Sequence, residues 1–171
     1  MRIHTMGTGQ AAAFFDYWEK VRFRTRRVVD CIPPDRLEWT WQEGKFTLGD
    51  LVRHLAGIER DMYAENARLL PSRYRGHGRE LADGRVAVIA YFEAKHAESM
   101  DIFRGLSDAD FEEHCVTPGG ASITVSKWLR LMAEHEIHHR GQIYMGLGIL
   151  GVPAPPLYGL TSEEVRERSV E

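Results

Sequence analysis

The stretch TVSKWLRLMAEHEIHHRGQIYMGLGIL, residues 124–150, has the length of a long helix and holds three histidines within five positions. An α-helix turns by about 100° per residue, so side chains three and four positions apart lie on one face. His138 lies roughly 80° from the face that carries the other two histidines. The stretch therefore predicts a core-facing helix that presents an i, i+4 pair of imidazoles, a common way to hold one metal ion. The residues of that face are Trp128, Met132, His135, His139, Gln142 and Gly146.

Three more segments have the periodicity of amphipathic helices and end close to proline or glycine. One begins at Thr47, where the run T-L-G-D can form a capping box with Asp50. A short extended piece is expected near residues 114–117 without building a sheet, and a last short helix is expected from Ser162. Together these segments predict an all-α fold, a four-helix bundle with a long crossover connection, in a single domain over residues 1–171. The four predicted helices are residues 8–31, 47–70, 80–106 and 124–150.

Composition and charge exclude several classes of partner. The net charge is -3, with both signs dispersed along the chain, so nucleic acid is not expected as a partner. The basic run from Arg22 to Arg27 is interpreted as a solvated helix face. The sequence shows neither a bilayer-spanning apolar stretch nor a signal-peptide pattern. We therefore expect no membrane partner, and we expect a cytoplasmic location. Cys31 and Cys115 lack the spacing of metal ligands and are interpreted as spectators.

His54 is the third candidate ligand. It lies beside Leu51 and Ile58 in the second predicted helix and therefore points inward. A lone histidine on an apolar face is more often a core residue bonded to a backbone carbonyl, and for His54 alone that alternative stays open. Three neutral imidazoles inside one bundle all need partners, because an unpaired buried polar group is unfavourable. One divalent metal satisfies all three, whereas the alternative for His135 and His139 is a half-exposed pair with no ligand.

The run HEIHH, residues 135–139, also matches HExxH, the signature of zinc metalloproteases. A protease of that kind needs Glu136 beside the metal and normally a third ligand downstream. No histidine follows His139, and the next acidic residue is Glu163. The protease interpretation is therefore disfavoured. Glu136 suits either a hydrogen-bond acceptor behind a ligand histidine or a charge at the surface, and the surface position is favoured.

Three segments carry a family resemblance: FTLGDLVRHL at 46–55, HEIHHRGQ at 135–142, and GVP at 151–153 followed by LYG at 157–159. They resemble the DinB-like family, the DinB/YfiT-like metalloenzymes, and the resemblance covers nearly the whole chain. It implies a four-helix bundle, often a homodimer, whose metal is held by one histidine of the second helix and an HxxxH pair of the fourth. Those ligands correspond to His54, His135 and His139. Members carry zinc, nickel or iron, and zinc or nickel is expected here ahead of iron.

Three histidine ligands leave a coordination position open, as in catalytic zinc sites. Such a position can hold a thiol as thiolate or lower the pKa of bound water. The family's characterised members include transferases of bacillithiol and mycothiol-dependent isomerases. The resemblance thus implies a metal-dependent transferase that uses a low-molecular-weight thiol of the bacillithiol or mycothiol type on a small-molecule substrate. Two alternatives are a hydrolase that uses metal-bound hydroxide and a non-catalytic, metal-stabilised stress-response dimer.

Four residues near the predicted site remain candidates for contact with a cofactor or substrate. Arg140 points roughly 100° away from His139; it suits an anionic substrate group, although a structural role such as capping carbonyls is favoured. Gln142 shares the ligand face and suits contact with bound solvent or with a ligand histidine. Trp39 and Trp41 suit the wall of a cavity mouth, with core packing favoured.

Overall fold

The computed structural model describes residues 9–169, which are mainly helical. The predicted first-helix start at Thr8 and the ends of the predicted domain lie outside these residues. Within the described part, none of the helices has the length and apolar character needed to cross a membrane. In chain order the elements are α1 (Gln10–Val29), a 3-10 turn (Pro34–Arg36), α2 (Leu48–Ile58), a π-helical turn (Glu59–Tyr63), α3 (Ala64–Ala67), α4 (Gly84–Phe103), α5 (Asp108–Glu112), β1 (His114–Val116), β2 (Ser122–Thr124), α6 (Val125–Ile149) and α7 (Ser162–Arg168).

Four long helical segments form the bundle: α1, α2 with its continuation through α3, α4, and α6. Helix α1 packs chiefly against α6, and α2 packs chiefly against α4. One buried apolar cluster includes Trp18, Phe103 and Leu129, and a second includes Leu55 and Ile143. Burial of these apolar faces supplies the main favourable contribution to folding. The predicted all-α four-helix bundle is confirmed.

The second bundle helix begins where the sequence predicts but contains an irregularity that the sequence does not reveal. The Thr47 side chain accepts a hydrogen bond from the Asp50 amide, and the Asp50 carboxylate accepts one from the Thr47 amide. After α2 the chain makes a π-helical turn before α3, and the helix ends at Ala67, close to the predicted end. Both end residues of the π-helical turn, Glu59 and Tyr63, are buried in the bundle. Such turns occur often at functional sites.

The connection between α5 and α6 contains a two-stranded antiparallel sheet, so the expectation that no sheet forms is wrong. Strands β1 and β2 pair with Cys115 opposite Ile123, and Cys115 is buried in the core. Each strand has three residues, too few for an alternating pattern to show in the sequence. The hairpin turns at Gly120, whose φ of +83° suits glycine. Thr124 then caps α6, as its predicted start requires.

A buried ion cluster crosses the bundle at the level of the π-helical turn. The Arg22 guanidinium lies 2.8 Å from a carboxylate oxygen of Glu136 and 3.1 Å from one of Glu59. All three side chains are buried, so the predictions of a surface Glu136 and a solvated Arg22 are wrong. Charged groups tolerate burial when opposite charges and hydrogen bonds replace water. The sequence pattern of one helix does not show the partners that other helices supply.

Candidate metal centre

Three histidine side chains meet between α2 and α6. Nε2 of His135 lies 3.1 Å from Nε2 of His54 and 3.1 Å from Nε2 of His139. The candidate donor atoms of the three residues all lie within 4.8 Å of one another. His54 comes from the inward face of α2 and the other two from one face of α6. The structure therefore brings the three candidate ligands to one point and leaves His138 exposed beside them.

Burial keeps these imidazoles neutral. It lowers the pKa of His54 to about 3 and that of His135 to about 4, and repulsion between neighbouring imidazolium forms acts in the same direction. Burial also lowers the pKa of His139. A neutral imidazole offers a lone pair, and this is the form that binds a metal ion. At neutral pH the three imidazoles are therefore already in the form that binds a metal ion.

Two of the histidines have a hydrogen-bond partner on the other ring nitrogen. The Tyr74 hydroxyl lies 2.6 Å from Nδ1 of His54, and the Gln142 side-chain oxygen lies 2.7 Å from Nδ1 of His139. Because an amide oxygen only accepts, Nδ1 of His139 carries the proton and its Nε2 presents a lone pair. Burial raises the pKa of Tyr74 to about 12, so its hydroxyl stays protonated at neutral pH. Contacts of this kind orient the ligands of metal sites.

The separation of the donor atoms fits a divalent metal. Zinc binds imidazole nitrogen at about 2.0–2.1 Å, which places neighbouring nitrogens about 3.3 Å apart in a tetrahedral site and about 2.9 Å apart in an octahedral one. The two observed distances of 3.1 Å lie between these values. Among neutral imidazoles only one of the two contacts can be a hydrogen bond, because Nε2 of His135 either donates or accepts and Nε2 of His139 only accepts. A cation bound to all three nitrogens accounts for both short distances.

Arg53 anchors the connection that carries Tyr74. Its side chain is fully buried, and its guanidinium pairs with Glu38 at 2.9 Å. Its Nε donates to the His77 carbonyl at 2.8 Å, which ties residues 68–83 to α2 beside the histidines. Sequence reasoning missed both Arg53 and Tyr74. The one available signal was a single arginine in the mostly apolar helix LGDLVRHLAGI. Asp50 on the same helix is one of its partners, and the others come from connections whose paths the sequence does not reveal.

An open pocket of about 860 Å³ adjoins the histidines. His139 and Gln142 form part of its wall on α6, and the connection between α1 and α2 forms the opposite wall. The volume falls in the range of small-molecule sites. Trp39 and Trp41 both line this pocket. Trp39 also packs against the core, whereas Trp41 is 63% exposed, so the favoured core packing holds for Trp39 alone.

Arg140 is held away from the pocket wall. Its side chain is buried, its Nη1 donates to the Val21 carbonyl at 3.2 Å, and its Nη2 lies 3.5 Å from the Tyr158 hydroxyl. This environment corresponds to the structural role, in which the guanidinium binds a carbonyl of α1. It gives no support to the predicted contact of Arg140 with a cofactor. Gln142, the other candidate, both lines the pocket and contacts His139.

Comparison with solved structures shows the same fold at low sequence identity. A DinB-like protein from Bacillus cereus is 17% identical, with a TM-score of 0.70 over 84% of this chain and 94% of its own. YfiT from Bacillus subtilis, described as a probable metal-dependent hydrolase with an unusual four-helix bundle topology, is 18% identical, with a TM-score of 0.66 over 90% of this chain and 94% of its own. A mycothiol-dependent maleylpyruvate isomerase is 16% identical, with a TM-score of 0.59 over 82% of this chain and 62% of its own.

The family assignment rests on sequence. A search of curated proteins found no match. The sequence profile of the DinB superfamily, in contrast, matches residues 17–143, more than half of the chain. That span holds all three histidines together with Tyr74 and Gln142. By this match the chain belongs to the DinB superfamily.

Proposed function

We propose that this protein is a metal-dependent enzyme that joins a low-molecular-weight thiol to an electrophilic small molecule. One observation carries the proposal: three neutral imidazoles converge on one point, and one of them, His139, also forms part of the wall of an open, largely apolar pocket. A closed structural site has no need of such a pocket. The similarity in fold to a mycothiol-dependent isomerase supports a thiol of the bacillithiol or mycothiol type.

In this proposal the three histidines His54, His135 and His139 hold the metal. When bound, the metal supplies a Lewis-acid position that favours the deprotonated form of a thiol. Tyr74 and Gln142 orient two of the imidazole rings. The pocket seats the electrophile beside His139. The thiol proton passes to solvent, sulfur forms a bond to carbon, and the leaving group departs with its electron pair.

Cobalt substitution tests the proposal. Cobalt(II)-loaded protein is titrated with bacillithiol and with mycothiol, and its absorption spectrum is recorded. We expect a new sulfur-to-cobalt charge-transfer band with one of the two, and no such band with the serine analogue of the same thiol. A spectrum that neither thiol changes contradicts the thiol function. His54→Ala serves as the control, since loss of one ligand should abolish the cobalt spectrum itself.

Hydrolysis is the second candidate function. The similarity to YfiT, described as a probable metal-dependent hydrolase, favours it. A metal held by three imidazoles can activate water as well as a thiol. The two functions differ in their requirements, because hydrolysis proceeds without any thiol. Metal-dependent product formation in thiol-free buffer, lost in His139→Ala, would favour hydrolysis over thiol transfer.

We further propose zinc or nickel as the metal, and a homodimer as the assembly. Imidazole ligands suit both ions. The zinc and nickel contents of protein purified without added metal decide between the two. The dimer follows from the family resemblance alone. Sedimentation equilibrium distinguishes a species of twice the 19.6 kDa chain mass from the monomer.

A further inference from the structure

We propose that the pocket beside the histidines binds a hydrophobic aromatic molecule, which makes the electrophilic substrate an apolar aromatic compound rather than a small polyanion. This inference rests on the proposed function, because it assigns the pocket to the substrate of that reaction. It is carried by four properties of the pocket: its walls, its exposed apolar rim, its charge and the room left by Gly146.

Aromatic and aliphatic side chains form both walls of the pocket. The connection between α1 and α2 supplies Trp39, Trp41 and Phe46, and α6 supplies Met145 and Ile149. The wall on α6 runs from His139 to Ile149, about 15 Å of helix at 1.5 Å per residue. Flat aromatic rings stack favourably on tryptophan and phenylalanine, and methionine adapts to their edges. The walls therefore suit an aromatic ligand that extends along α6 from the histidines.

The rim of the pocket exposes large apolar side chains. Trp41 is 63% exposed, Met145 68% and Ile149 62%. A group of such residues around a concave surface is typical of a ligand-binding site. The rim is continuous with the wall that contains His139 and Gln142. A small apolar molecule seated there lies between the rim and the candidate ligands, and for this reason we assign the pocket to a substrate.

Apart from the proposed metal, the side chains of the pocket offer few cations to a polyanionic substrate. Lys45, on the exposed rim, is the single lysine or arginine among the described residues that line the pocket. Recognition of several carboxylates or phosphates normally uses arginine forks or clustered cations. Arg140, the cation next to the ligand pair in sequence, is buried against α1 instead. The other polar side-chain groups of the lining are the amides of Gln42 and Gln142, the imidazole of His139 and the indole N–H groups of Trp39 and Trp41.

Gly146 allows the two walls to approach closely. A Cβ atom at this position would lie 3.0 Å from Cδ2 of Leu48 and 3.3 Å from Cζ3 of Trp39. The missing side chain therefore lets Trp39 lie against α6, so that its ring forms part of the pocket wall. Gly146 lies on the same face of α6 as His139, two helical turns along. An added Cβ here would press on both Leu48 and Trp39, so these two side chains of the pocket lining would have to shift.

The test measures binding of the neutral fluorophore N-phenyl-1-naphthylamine to zinc-loaded protein in the absence of thiol. We expect saturable binding with a rise in its emission. Trp41→Ala and Met145→Glu should each weaken binding by about tenfold, since each removes a large apolar contact. Both side chains are mostly exposed, so the variants should fold, and their unchanged melting temperatures verify this. Phe23→Ala is the matched control, because Phe23 is equally exposed but lies on α1 outside the pocket.

A second measurement locates the probe and tests its class. Replacing zinc by cobalt(II) should broaden the fluorine resonance of bound 1-fluoronaphthalene, because the paramagnetic ion relaxes nearby nuclei. Maleate, a small dianion, should not displace the fluorophore at millimolar concentration. Displacement by maleate, or cobalt broadening no greater than in a protein-free solution, would overturn the proposal.

Three further outcomes are decisive. Fluorophore binding that is equal in the wild type, Trp41→Ala and Met145→Glu overturns the assignment of the pocket. The assignment is also overturned if the fluorophore does not bind and the protein is a dimer that Trp41→Ala dissociates, because the rim is then a self-association surface. Binding at the pocket with no thiol-induced change in the cobalt spectrum supports this inference while the thiol function fails, so the two failures are distinguishable.

Discussion

The Tyr74 hydroxyl lies 2.6 Å from Nδ1 of His54, so a residue of the connection between α3 and α4 contacts the back of a candidate ligand. Arg53 holds that connection in place through the His77 carbonyl. Arg53 and His54 are neighbours on α2 and contact the same connection: Arg53 anchors it, and His54 forms a hydrogen bond with its Tyr74 hydroxyl. This arrangement explains how a ligand on α2 keeps its ring orientation next to an open pocket.

The first prediction concerns this contact. Tyr74→Phe should weaken zinc affinity by about tenfold or more, as loss of outer hydrogen bonds does in other metal sites. Competition with a chromophoric chelator measures the dissociation constant. Tyr17→Phe is the control, because Tyr17 lies on α1 away from the cluster and is 44% exposed. Equal affinities for Tyr74→Phe and Tyr17→Phe would show that the contact does not support the metal.

The second prediction concerns pH and the metal-free protein. An unfolded histidine has a pKa near 6.5, whereas burial lowers that of His54 to about 3 and that of His135 to about 4. Between these values the unfolded chain binds more protons, so stability falls as pH decreases below about 6.5. The slope approaches about 1.4 kcal/mol per pH unit for each histidine that is protonated in the unfolded chain alone, and because the pKa of His135 is lowered less, its contribution covers a narrower pH range.

Urea denaturation of chelator-treated protein between about pH 4.5 and 7.5 measures this slope. His54→Gln should flatten it, because the substituted residue no longer titrates. His114→Gln, at an exposed position outside the cluster, should leave it unchanged. Identical slopes in the two variants would mean that the cluster does not carry the pH dependence.

The third prediction concerns the buried ion cluster. Arg22→Met leaves the Glu59 and Glu136 carboxylates without their guanidinium partner. Burial already raises the pKa of Glu136, and Arg22 acts against that rise. The loss should destabilise the protein by about 3–5 kcal/mol, the range found when one partner of a buried pair is removed. Chemical denaturation measures the change.

Arg27→Met on the same helix is the comparison, since Arg27 is only half-buried. It should change stability by no more than about 0.5 kcal/mol. If Arg22→Met were equally mild, the ion cluster would contribute little to the stability of the bundle.

The fourth prediction concerns the start of α2. The Thr47 side chain caps this helix and also donates to Glu38 at 2.9 Å, next to Arg53. Thr47→Ala should reduce the free energy of unfolding by about 1 kcal/mol. Thr161 forms the same kind of capping box on α7, a short helix with no buried residue. Thr161→Ala should therefore leave global unfolding unchanged, and equal effects of the two substitutions would contradict this assignment.

Much of the fold was predictable because it depends on local patterns. The i, i+3 and i+4 spacing of apolar residues marked the long helices. Thr47, the predicted start of the second long helix, caps α2, and α7 begins at Ser162 as predicted. The π-helical turn was not predictable, because residues 59–63 have no composition that separates a wide turn from an ordinary one. The β1–β2 hairpin was missed because strands of three residues leave no alternation to detect.

The site divides in the same way. Helix geometry selected His135 and His139 over His138, because those positions follow from residue spacing within one helix. The contacts of Tyr74, Arg53 and Glu136 depend on residues far apart in sequence, and no local pattern indicates them. Glu136 shows the limit most clearly: its charge suggested a surface position, and only the arginine on α1 explains its burial.

The most direct test of the central claim is X-ray absorption spectroscopy of the zinc-loaded protein, combined with metal analysis. The account predicts one zinc per chain, with three imidazole nitrogens at about 2.0–2.1 Å. It also predicts that His54→Ala, His135→Ala and His139→Ala each lose that ion on dialysis, whereas His138→Ala keeps it. Stoichiometric zinc retained by all three ligand variants, or a spectrum without imidazole scattering, would contradict a metal centre at these three histidines.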